Sequence, residues 1–196
     1  MFISRRDLIK SLSLTAAAGS MLRVVPFADA EKAHRMVSAH KAASPSREYA
    51  PKFFPERQYK TLQALCQAII PPDQESGGAV EAGAPEFIDL LSSENKDLQL
   101  QLGGGIMWLD AECMERYGQT YLQCTSGQQT EMLDLIAFRK NADKDSRLSP
   151  GIEFFSTLRK YTADGFFTSE IGIKYLGYIG NTYLKEFPGC PSVPEA

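Results

Sequence analysis

Leu98-Gln99-Leu100-Gln101-Leu102-Gly103-Gly104-Gly105-Ile106-Met107-Trp108-Leu109-Asp110-Ala111-Glu112-Cys113 is the stretch whose reading decides the fold. Leu98, Leu102, Ile106, Leu109 and Cys113 recur at steps of three and four, which places them on one face of a helix. Three consecutive glycines interrupt that stripe. They are either a weak point or break, since each costs ~1 kcal/mol against alanine, or a place where a second helix comes close. They do not resemble a phosphate loop, because no Lys-Ser/Thr follows and no strand precedes them.

The same period extends outward on both sides. Pro55 and Glu56 open a segment with Tyr59, Leu62, Leu65 and Ile69 at near-helical spacing, and Pro71-Pro72 ends it. Pro85 suits a first helical turn, and Phe87, Ile88, Leu90 and Leu91 follow. Gly118 is placed to end the central helix. Thr125 or Ser126 can cap the next, which carries Met132, Leu133, Ile136 and Phe138. Asn141 to Ser149 reads as polar loop. Ser149-Pro150 starts a helix with Phe154, Phe155, Leu158 and Tyr161, and Gly165 is expected to close it. Ser169-Glu170 begins a short last helix. Alternating strand patterns are almost absent, so the class is all-α, a compact helical domain with long irregular loops.

Residues 1–30 read as a signal peptide. Ser4-Arg5-Arg6-Asp7-Leu8-Ile9-Lys10 resembles the twin-arginine export motif, with Leu8 where Phe is commonest and Ile9 replacing Leu. A weakly apolar stretch, Ser11 to Leu22, follows. Ala28-Asp29-Ala30 then supplies small residues for a peptidase, with cleavage expected before Glu31. The alternative is a basic amphipathic N-terminus that stays in the cytosol. Twin-arginine export moves folded cargo, so the chain either binds a cofactor itself or travels with a partner that does. Residues 31–52 are polar and read as a flexible linker, residues 53–191 as the helical domain, and residues 192–196 as a tail.

Composition narrows the chemistry. The 196 residues carry a net charge of −3, and no run of Lys or Arg forms a nucleic-acid footprint. No stretch is long and apolar enough to span a bilayer. Both histidines, His34 and His40, fall in the expected linker, which leaves the folded body without one. That argues against Ser-His-Asp and Cys-His arrangements, His-ligated haem and the usual zinc sites. Asp143-Lys144-Asp145-Ser146 lacks the glycine of a calcium loop and reads as solvated loop. Asp110, Glu112 and Glu115 read as the solvated border of the apolar stripe. Trp108 and the pairs Phe154-Phe155 and Phe166-Phe167 read as core, with a partner-binding patch as the other reading of Trp108.

Cys66, Cys113, Cys124 and Cys190 form no C-x-x-C pair. An exported chain could make two disulfides from them, and four free buried thiols are the alternative. On one unbroken helix Cys113 and Cys124 would lie ~16 Å apart, too far to bond. If Gly118 turns the chain back they can meet, so the preferred pairing is 113–124 with 66–190.

The C-terminal half carries an ordered set of motifs. It reads Phe154-Phe155-x-x-Leu158-Arg159-x-x-Thr162-x-x-Gly165-Phe166-Phe167-Thr168-Ser169-Glu170, then Leu176-Gly177-Tyr178-x-Gly180-Asn181, then Phe187-Pro188-Gly189-Cys190-Pro191. Upstream stand Ile69-Ile70-Pro71, Gly78-Ala79-x-x-Ala82-Gly83 and Phe87-Ile88-Asp89. Over roughly residues 53–191 this resembles the gluconate 2-dehydrogenase subunit 3 family. The resemblance implies a small subunit without catalytic residues, cofactor or metal of its own. Its implied partners are an FAD-dependent large subunit resembling glucose–methanol–choline oxidoreductases, a cytochrome c subunit with haem c, and the twin-arginine translocase. It implies a periplasmic location, with the complex or an uncleaved signal as a route to the membrane, and gives a functional role only to Arg5 and Arg6. An enzyme or redox carrier in its own right, and a free-standing periplasmic binding domain, are the competing readings.

Overall fold

The computed structural model describes residues 27–44 and 49–180. Seven α-helices are named here in chain order: α1 Phe27–Ala43, α2 Glu56–Ile69, α3 Ala84–Glu94, α4 Gly104–Tyr117, α5 Ser126–Ala137, α6 Ser149–Phe167 and α7 Glu170–Tyr175. One turn, Lys96–Leu98, leads through a π-helical Gln99–Gly103 into α4. Among the described residues there is no strand.

Local chemistry sets the ends of these helices. Pro85 occupies the first turn of α3, where its missing N–H costs nothing. Gly118 ends α4 at φ 72°, a left-handed conformation that glycine adopts without a Cβ penalty. Thr125 and Gln128 form a reciprocal capping box on α5. Ser169 Oγ accepts from the Gly172 N–H at 3.1 Å and starts α7.

The core is gathered around α6, which packs against α2, α3, α4, α5 and α7. Leu62, Leu65, Phe87, Leu102, Leu109 and Leu158 are wholly buried in it. Each such side chain contributes roughly 1.5–3 kcal/mol by leaving water. Leu98, Leu102, Ile106, Leu109 and Cys113 are all buried, so the stripe is a core face.

The glycine run does not end the helix. The ladder widens to π through Gly103 and returns to α at Gly104. The close-approach reading holds at Gly105. A Cβ there would overlap the Phe154 ring and lie 2.7 Å from Phe154 Cβ. Gly151 on α6 does the reciprocal service, since a Cβ there would overlap the Trp108 ring. Each helix sets an aromatic ring into the notch left by a glycine of the other.

Three expectations are corrected. Gly165 does not close α6. The helix runs on to Phe167, and Gly165 sits inside it, where an added Cβ would be 3.1 Å from Ala84 Cα. Phe138 is no part of the apolar face of α5. It lies just beyond the helix and is 53% exposed.

The third concerns the expected flexible linker, 31–52. Residues 31–43 belong to α1, which begins inside the segment read as signal peptide. Ala30, Ala33 and Val37 recur at helical spacing and are buried, with α1 packed on α3. Small side chains raise the mean hydropathy little, yet they let a helix lie close to its neighbour. Residues 49–54 are pinned as well, by the carboxylate of Asp89.

Candidate functional site

α3 carries two buried carboxylates one turn apart. Asp89 is wholly buried. It accepts from Tyr49 Oη at 2.8 Å and from the backbone N–H groups of Lys52, Phe53 and Phe54 at 2.7, 3.1 and 2.9 Å. Four donors compensate the charge that burial would otherwise penalise. Burial, followed by the Asp89 charge, holds the Tyr49 phenol well above its usual range. Glu86 is nearly buried and pairs through Oε1 with Lys41 Nζ at 2.8 Å. Its Oε2, like Tyr59 Oη, is buried with no hydrogen-bond partner.

His34 of α1 completes this dock. Its ring stacks on Phe87 with centroids 5.1 Å apart. Nε2 lies 3.0 Å from Thr168 Oγ1. Thr168 donates its own hydroxyl hydrogen to the Asp164 carbonyl, which leaves its oxygen to accept from His34. Burial pulls the imidazole pKa below its ordinary 6.5, against weaker upward pulls from the Gly165 carbonyl and Glu86. His34 therefore belongs to the folded body, contrary to the sequence reading. Asp89 was legible only as part of the Phe87-Ile88-Asp89 motif, and nothing in that motif disclosed its role as an anchor.

The structure brings two of the four cysteines together. Past Gly118 the chain turns back through Tyr121–Gln123, and the Tyr121 N–H donates to Asp110 Oδ1 at 3.0 Å. The Cys113 and Cys124 thiols thereby become electrostatic neighbours. Burial, then the neighbouring Cys124, holds the Cys113 thiol well above its ordinary range. Cys66 is a core thiol 3.5 Å from Thr162 Oγ1, and burial pushes it up to about 12. All three are free thiols, so the expected 113–124 disulfide is not formed, and the expected 66–190 pairing falls partly outside the described residues. Cys190, Arg5 and Arg6 lie outside the described residues.

The carboxylates expected to border the apolar stripe have cationic neighbours. Asp110 pairs with Arg57 at 3.3 Å, Glu112 with Arg116 at 2.6 Å, and Glu115 with Arg147 at 3.7 Å. Asp145 caps the turn at Arg147 and pairs with it at 2.9 Å. Among the described residues no three His, Cys, Asp or Glu side chains gather as a metal set. No described helix is long and apolar enough to cross a membrane.

A groove of about 690 Å³ runs beside the α4–α6 contact, lined by Leu100, Trp108, Arg139, Pro150 and Phe154. Trp108 is half-buried there, with one side on Gly151. Along the outer face of this helix Leu100 and Met107 are 76% and 65% exposed. Fold and site together define an all-helical domain whose two buried carboxylates hold α1 and the segment 49–54 that follows it. The chain belongs to the gluconate 2-dehydrogenase subunit 3 family, whose sequence model matches residues 56–189, about two thirds of its length. The family is that of a subunit of a gluconate dehydrogenase complex. A search of curated proteins and a search of solved structures each found no match.

Proposed function

We propose that this chain is the non-catalytic small subunit of a periplasmic FAD-dependent dehydrogenase complex, and that it carries the export signal for the flavoprotein. The observation that carries the reading is the joining of two things on one chain. Residues 56–189 match a dehydrogenase-complex subunit, and Ser4 to Lys10 resemble a twin-arginine export motif. A flavoprotein must load FAD in the cytoplasm and cross the membrane folded, so a partner with the right leader relieves it of needing its own. FAD and substrate oxidation belong to the large subunit. A cytochrome c subunit with haem c would take the electrons onward. In the oxidising compartment Cys113 and Cys124, neighbours across the turn at Gly118, close to a disulfide, passing two electrons and two protons to a dithiol-oxidising agent of that compartment.

The test replaces Arg5 and Arg6 together by Lys in the full complex. The expected result is loss of the flavoprotein from the periplasm, while it still co-purifies with this chain from the cytoplasm. Normal export of the flavoprotein in that variant refutes the escort role. A visible chromophore or stoichiometric metal in the purified chain would favour a redox carrier instead.

A further inference from the structure

α1 contains the bond at which an export leader is expected to be cut. Ala28-Asp29-Ala30 places that bond between Ala30 and Glu31. It lies in the first turn of α1, which starts at Phe27. Ala30 is wholly buried, and Ala33 and Val37 continue the same buried face. Two further anchors act along the helix. His34 is held by Phe87 of α3 and by Thr168 at the end of α6. Lys41 is held by Glu86 of α3.

A peptidase that reads small residues at alternate positions needs the chain extended, because only then do residues two apart face the same way. A helical backbone turns such residues about 200° apart. Hydrolysis adds one water across the Ala30–Glu31 bond, leaving a carboxylate on Ala30 and an ammonium on Glu31. That ammonium would stand at the N-terminus of the remaining helix, where the macrodipole disfavours positive charge. Ala30 would also leave the core.

We propose that docking of α1 hides the Ala30–Glu31 bond, so that the folded chain keeps its leader until α1 leaves its seat. The proposal rests on the leader reading above, though not on which protein the leader escorts. Cleavage then follows the population of chains with α1 undocked, as proteolysis does when opening is fast. Retention of the leader becomes a property of the fold rather than of the leader sequence.

The test uses the purified full chain in detergent with purified leader peptidase, reading the N-terminus by mass spectrometry over time. Two variants loosen α1. Lys41→Glu replaces the ion pair with Glu86 by repulsion at a partly exposed position, and Val37→Asp buries a charge. Circular dichroism checks the fold, and hydrogen exchange of residues 29–43 reports undocking. Cleavage at Ala30–Glu31 is expected to rise with α1 exchange, roughly tenfold or more in a variant whose exchange rises by that factor. A cleavage rate independent of α1 exchange, with the wild-type chain cut as fast as the loosened ones, overturns the proposal. So does failure to cut at Ala30–Glu31 in a chain with α1 undocked, since no hidden site would then exist. Neither result touches the escort role, which the Arg5 and Arg6 exchange tests separately.

Discussion

Alanine at Gly104 and alanine at Gly105 are expected to change stability in opposite directions. Both residues begin α4, and both would gain roughly 0.5–1 kcal/mol from replacing glycine by alanine in a helix. At Gly104 nothing lies within 4 Å of the new Cβ, so that gain stands alone. At Gly105 the new methyl would overlap the Phe154 ring and approach Phe154 Cβ to 2.7 Å. Phe154 is 2% exposed and cannot swing into solvent, and a clash at its Cβ is not relieved by turning the ring. Overpacking of this kind costs about 1–3 kcal/mol, and this overlap is severe enough for the upper end. The net loss for Gly105→Ala is about 2 kcal/mol. In a chain of this length 1 kcal/mol moves the midpoint by about 2–4 °C. Thermal unfolding should therefore show Gly104→Ala up by about 2 °C and Gly105→Ala down by about 4–8 °C. A Gly105→Ala chain as stable as Gly104→Ala would refute the α4–α6 contact as drawn.

Asp89→Ala removes the acceptor of four hydrogen bonds and strands three backbone N–H groups, so a loss of roughly 3 kcal/mol is expected by urea unfolding. Residues 49–54 should also become the first segment nicked by protease. Burial disfavours the charged form of His34 in the docked helix, so below its ordinary pKa of 6.5 the undocked chain takes up a proton that the docked chain resists. Docking then weakens as pH falls through that value, levelling off once the docked imidazole itself protonates. Hydrogen exchange of α1 between neutral and mildly acidic pH measures this, and His34→Gln should flatten the slope. Mild oxidation should join Cys113 to Cys124. A non-reduced peptide map showing Cys66 linked to Cys113, or both partners still free, would count against the pairing.

Much of the fold was legible because a helix that buries large apolar residues writes its period plainly. The stripe from Leu98 to Cys113 and the segment from Tyr59 to Leu65 are of this kind. The ends were legible where a residue's conformational preference coincides with the edge of the apolar period, as with Pro85, Gly118 and Thr125. Gly165 misled because glycine also serves in the middle of a helix, wherever a neighbour comes too near for a Cβ. α1 was missed for a related reason. Its buried face is made of Ala30, Ala33 and Val37, with His34 beside it, and such a face looks polar on average. The dock at Glu86 and Asp89 was equally hidden, since local pattern says nothing of what a buried carboxylate holds. The meeting of Cys113 and Cys124 could be derived, because Gly118 set the direction of the chain between them.

The paired notches of α4 and α6 have a consequence for how this sequence can change. Gly105 and Trp108 are three residues apart, and so are Gly151 and Phe154, with each glycine facing the other helix's ring. The contact has an approximate two-fold symmetry, like two teeth meshed with two gaps. Neither helix can slip along the other by one turn, because each tooth would then strike a residue with a Cβ, such as Leu102 just before α4 or Phe155 on α6. Inserting one residue between Gly105 and Trp108 would turn one of them by about 100° relative to the other, so that only one tooth could stay in its gap. Exposed side chains on these helices are free to drift, whereas the lengths of Gly105–Trp108 and Gly151–Phe154 are not.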